Sequence, residues 1–69
     1  MKITLNGKPT EIENNLNILS LLTLQNVKSP EMVTVELNEE ILNKSDFETI
    51  TLKENDRVEL LFFMGGGAW

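Results

Sequence analysis

From Val33 to Asn38 apolar and polar residues alternate without a break, and this run constrains the fold more than any other stretch of the sequence. Alternation has a period of two, so Val33, Val35 and Leu37 share one face of a β-strand while Thr34, Glu36 and Asn38 share the other. A strand with one apolar face has to bury it against a second layer. Arg57 to Phe63 carries a related pattern, with Val58, Leu60 and Phe62 on one side and Glu59, Leu61 and Phe63 on the other. Two such strands need neighbours and a cover.

The rest of the chain supplies both. Ile3 and Leu5 alternate with Lys2, Thr4 and Asn6, and Asn6-Gly7 is a turn pair that accepts positive φ. Pro9 to Glu13 then runs back as the second strand of a hairpin, with Ile12 facing inward. Asn14-Asn15 breaks that strand, and Asn17 is placed to cap a helix carrying Ile18, Leu21, Leu22 and Gln25 and ending near Asn26. Leu19 and Leu24 lie partly off its apolar stripe, so the helix is either buried over a wide arc or leaves one of them exposed. Ser29-Pro30 cannot continue a helix easily. Beyond the alternating run, Glu39-Glu40 turns the chain into a short Ile41-Leu42 strand, and Lys44 to Glu48 forms a one-turn corner with Phe47 against the core. Ile50 and Leu52 precede a turn at Glu54-Asn55-Asp56. The order is strand, strand, helix, strand, short strand, strand. One helix across one face of a mixed sheet gives an α+β fold of the β-grasp, ubiquitin-like kind, with residues 1–64 as the domain and 65–69 as a flexible C-terminal tail.

Composition removes most enzyme chemistry. Sixty-nine residues make one small domain, and the chain has neither cysteine nor histidine. Disulfides, thiolate metal sites, cysteine nucleophiles and imidazole bases are therefore all missing. The formal net charge of -5 repels phosphate backbones and anionic lipid surfaces, which disfavours nucleic acid and membrane as partners. No apolar stretch approaches the roughly 18 residues of a membrane span, and no apolar leader follows Met1-Lys2, so a cytoplasmic location is expected.

Gly65-Gly66-Gly67 comes directly after Phe62-Phe63-Met64. Residues without a Cβ can pass a channel that any branched side chain would block, and three of them extended reach roughly 10 Å. The ordinary alternative is a frayed terminus. Position favours the first reading, because the run begins where the last strand of the domain stops.

Together these segments resemble the ThiS/MoaD family of sulfur carriers. The likeness is carried by Met1-Lys2-Ile3-Thr4-Leu5-Asn6-Gly7-Lys8, by Ile18-Leu19-Ser20-Leu21-Leu22, by Val33-Thr34-Val35-Glu36-Leu37-Asn38, and by Asn55-Asp56-Arg57-Val58-Glu59 through Gly67. The resemblance implies a cosubstrate and not an enzyme. An E1-like adenylating enzyme of the ThiF/MoeB kind would activate the Gly67 carboxylate with ATP and Mg, and a persulfide sulfur would replace AMP to leave a thiocarboxylate. Gly65 and Gly66 would give clearance, and a sulfur-accepting synthase would take the sulfur. All catalytic groups would belong to partners, with no bound cofactor and no metal on the carrier.

The sequence departs from the family where Ala68 and Trp69 follow the glycines. A Gly67-Ala68 peptide bond leaves no carboxylate to adenylate, so a peptidase is expected to remove Ala68-Trp69. An alanyl-tryptophan tail resembles carriers of homocysteine and methionine biosynthesis, which makes that route the leading expectation and the thiamine thiazole the alternative. Ala68-Trp69 as a cloning remnant or harmless extension is the other reading. Leu61 and Phe63, on the strand face opposite Val58 and Leu60, are expected to dock the adenylating enzyme, with Glu36 and Glu59 meeting basic groups on it; the plainer readings are core residues and solvated charges. From other classes come a β-grasp interaction module that is never covalently modified, and a small hydrolase using paired carboxylates such as Asp56 and Glu59.

Overall fold

The computed structural model describes residues 1–62, and its first turn follows from two of them. Asn6 and Gly7 take φ of 49° and 83°, the left-handed values a two-residue hairpin turn requires. They join β1 (Lys2–Leu5) to β2 (Lys8–Glu11) in antiparallel register, Leu5 opposite Lys8 and Lys2 opposite Glu11. Ile3 and Leu5 are buried, and Ile12, just past β2, packs against the same core.

Asn17 caps α1 (Ile18–Leu24), its Oδ1 accepting the Ser20 N–H at 2.7 Å. The other end closes as a Schellman motif. Asn26 turns left-handed with φ 62°, its N–H donates to the Thr23 carbonyl, and the Val27 N–H reaches back to the Leu22 carbonyl at 2.9 Å. Ile18, Leu21 and Leu22 are buried, Leu19 is half-buried, and Leu24 stays 60% exposed. The narrow-stripe alternative for this helix is therefore the one observed.

A short 3₁₀ turn (Pro30–Met32) leads into β3 (Val33–Leu37), where Val33 and Val35 are fully buried. The following reversal lies one residue earlier than the sequence suggested. Asn38 and Glu39, with φ of 51° and 74°, form the turn, so β4 is Glu40–Ile41. Asparagine tolerates the left-handed region better than a second glutamate does, and Asn38 is also held from outside the turn, as described below. A second 3₁₀ turn (Lys44–Asp46) is closed by reciprocal bonds between Asn43 and Asp46, and it buries Phe47. Lys44 lies 5.6 Å above the Phe47 ring while its Nζ donates to the Val33 carbonyl at 2.7 Å.

β5 (Arg57–Phe62) completes a five-stranded sheet in the order β2-β1-β5-β3-β4. It runs parallel to β1 and antiparallel to β3. α1 carries the chain from one side of the sheet to the other and covers one face. Between the two layers sits a single core that includes Ile3, Ile18, Leu21, Leu22, Val35 and Val58. No helix among the described residues is long and apolar enough to cross a membrane.

Candidate functional site

β5 leads to the glycine run, so its last residues form the described end of the site. Val58 and Leu60 are buried under α1, whereas Glu59 and Leu61 face away from it. The alternation read from the sequence holds up to this point. It fails at Phe62, which belongs to the Val58 and Leu60 face yet is 48% exposed. Val33, its partner across the ladder and on the same face, is fully buried, so the exposure is confined to Phe62 itself, the last residue of the strand. Leu61, 49% exposed on the bare face, and Phe62 on the other therefore present apolar surface on both sides of the strand end. Phe63, Gly65, Gly66, Gly67, Ala68 and Trp69, the remaining residues assigned to this end from the sequence, lie outside the described residues.

Register places the expected acidic pair side by side. Glu36 on β3 is directly opposite Glu59 on β5, and Ile41 on β4 is opposite Glu36 from the other side. In the same sheet Leu61 lies opposite Thr34. The uncovered face thus carries two carboxylates between two exposed apolar side chains, Leu61 and Ile41, the latter 69% exposed. Like charges directly opposite on a sheet repel. Among the described residues the ion pair formed is Arg57 with Glu39, at 4.0 Å and well exposed on both sides, and it leaves Glu36 and Glu59 without a cationic partner.

Asp56 does other work. Its buried carboxylate accepts the Lys53 N–H at 2.7 Å and the Asn38 Nδ2 at 3.0 Å, while Asn38 Oδ1 accepts the Arg57 N–H at 2.9 Å. These bonds tie the β3–β4 turn to the start of β5. Asp56 is thereby engaged in the scaffold, which removes it from a catalytic pair with Glu59. Among the described residues no cluster of three or more carboxylates could hold a metal ion.

Asn6 has a role that went unread in the sequence beyond its turn. Its N–H donates to the Val58 carbonyl at 2.9 Å and its Oδ1 accepts the Leu60 N–H at 2.8 Å. The side chain thus extends the β1–β5 ladder past the end of β1. The Asn6-Gly7 pair marks only the turn; the bond to β5 depends on which strand lies beside β1.

A mixed five-stranded sheet with one helix on a single face defines a β-grasp domain of the ubiquitin-like kind. The fold is similar to a solved one: the crystal structure of a thiamine biosynthesis protein (ThiS) from Geobacter metallireducens superposes with a TM-score of 0.84 at 46% identity, covering 97% of this chain and all of that one. The sulfur carrier protein ThiS of Bacillus subtilis is 29% identical over 65 residues, 94% of this chain and 98% of its own length. A thiazole synthase of Magnetococcus marinus is 36% identical over 67 residues, 97% of this chain. The chain spans about a fifth of the length of the thiazole synthases it matches, 20% and 21%. The ThiS family matches residues 3–67, ending on Gly67. The chain belongs to the ThiS family.

Proposed function

We propose that Gly67 carries sulfur as a thiocarboxylate and that the acceptor is a thiazole-forming synthase of thiamine biosynthesis. The observation that carries this reading is the family match, which runs through the whole fold and stops at Gly67. Relatives bearing a similar segment are thiazole synthases, and the Geobacter relative is a thiamine biosynthesis protein. They favour the thiazole route over the homocysteine route expected from Ala68-Trp69.

A free carboxylate is a poor electrophile and needs a leaving group. An E1-like adenylating partner supplies one: with ATP and Mg, the Gly67 carboxylate attacks the α-phosphorus and pyrophosphate leaves. A persulfide sulfur then displaces AMP, and a thiol cleaves the sulfur–sulfur bond to free the thiocarboxylate. In this sequence Gly67 is bonded to Ala68, so a peptidase has to cut after Gly67 first. Leu61, together with Phe63, seats the carrier on the adenylating partner, and Glu36 and Glu59 face basic groups there. Apolar surface at the root of the tail and unpaired carboxylates beside it support that placement.

The second reading, delivery to a homocysteine-forming acceptor, is favoured by Ala68-Trp69 alone. Chains ending at Gly67 and at Trp69 are incubated with the adenylating partner, ATP, Mg and a persulfide donor, and their intact masses are read. The chain ending at Gly67 gains the oxygen-to-sulfur increment and the longer one does not. Sulfur on the longer chain, or on neither, overturns the proposal; failure on both favours a module that binds without modification. Supplying the loaded carrier to a thiazole synthase and to a homocysteine-forming enzyme separates the two routes.

A further inference from the structure

Asn6 is the one asparagine of eight that is followed by glycine. In such a pair the backbone nitrogen of the glycine can attack the Asn side-chain carbonyl carbon. A carbon–nitrogen bond forms, ammonia leaves with the proton from that N–H, and the cyclic imide is opened by water at either carbonyl. The products are aspartate or isoaspartate. Glycine matters because it brings no side chain to obstruct the attack, and around Gly7 there is open space, with nothing among the described residues within 4 Å of where a Cβ would be.

The fold opposes this reaction at one point. Asn6 Oδ1 is held by the Leu60 N–H at 2.8 Å, the Asn6 N–H by the Val58 carbonyl, and the backbone by the left-handed turn. The carboxamide is thereby fixed on β5 and loses the rotation that attack by Gly7 nitrogen requires. We propose that Asn6 is a modification site gated by the β1–β5 junction: it stays intact while that junction is closed and deamidates when it opens. The two products differ in consequence. Aspartate keeps an acceptor for Leu60, whereas isoaspartate adds a backbone carbon to a turn built for two residues and displaces both the hairpin register and the Leu60 bond. Each opening thus risks a permanent mark on the strand that leads to the glycines.

The full chain is held in mildly alkaline buffer with and without guanidinium, and peptide mapping with isoaspartyl methyl transfer reads the site. Asn6 reacts first among the asparagines in the denatured chain, and about tenfold or more slowly in the folded one, as a local opening equilibrium requires. Ile3→Val, a mild change in buried Ile3 on β1, raises the folded-state rate; Asn6→Gln abolishes the signal at that position. Equal rates in both states, a different asparagine reacting first, or no effect of Ile3→Val overturns the proposal.

Discussion

Leu60 gives its backbone N–H to the side-chain carbonyl of Asn6 at 2.8 Å, across 54 positions of sequence. β1 ends at Leu5, so without this bond the ladder between the first strand and the central one would stop one step short. One side chain therefore both makes the hairpin turn and fastens that turn to the strand that leads to the tail.

Asn6→Ala removes the acceptor from a partly buried N–H and places a Cβ residue without a polar side chain at φ 49°. The expected loss is about 1–3 kcal/mol, read as a lower denaturation midpoint in urea with an unchanged slope. Asn6→Asp preserves the acceptor and costs less than the alanine variant.

Asp56→Ala leaves the Lys53 N–H and the Asn38 amide without their shared acceptor. Bonds to a carboxylate contribute about 1.5–3 kcal/mol each, and in a domain of this size each kcal/mol lowers the melting temperature by about 4–8 °C. Asn38→Ala acts through the same network, so the double variant loses less than the two single losses combined. Calorimetric melting of the three variants checks this.

Leu61→Ser and Leu60→Ser, adjacent in sequence, should part company. Leu60 is buried and its truncation costs several kcal/mol, in the range of about 2–5 for large core deletions. Leu61 faces out, so its change stays within about 0.5 kcal/mol in stability. The same change weakens engagement of the adenylating partner by roughly tenfold, an anchor-sized effect, seen as a raised KM for the carrier with kcat preserved.

Glu36→Lys turns a like-charge pair into an attractive one across β3 and β5. Stability rises by about 0.2–1 kcal/mol, while association with the adenylating partner slows at low salt. Because surface fields are screened beyond a Debye length of about 10 Å at 0.1 M, the rate difference shrinks as salt is added. Stopped-flow association at a series of ionic strengths measures it.

Patterns local to one element were readable without the structure. Asn6-Gly7 marked its hairpin, Asn17 its cap and Val33 to Leu37 its strand, because turn chemistry and periodicity are written in neighbouring residues. What depended on distance was not. Phe62 sits on the face its alternation names, but whether a position on that face is covered depends on residues distant in sequence. The turn at Asn38 falls one residue earlier than local pattern implies because the groups that hold it, Asp56 and the Arg57 N–H, lie 18 and 19 residues away. Glu36 and Glu59 were named singly; only the register of two strands puts them opposite each other. Gly65-Gly66-Gly67 is visible as a motif in the sequence, and the role given to it is the one proposed above.

β5 occupies the middle of the sheet, yet the ribosome makes it after every other described element. A nascent chain halted before Arg57 owns two separate ribbons, β2-β1 and β3-β4, each with a bare edge and half a core. Pairing over such long sequence separations comes late, so the ribbons fuse only when the final strand slots between them. The segment that joins the two ribbons into one sheet is thus also the segment on which the glycines follow directly in the sequence.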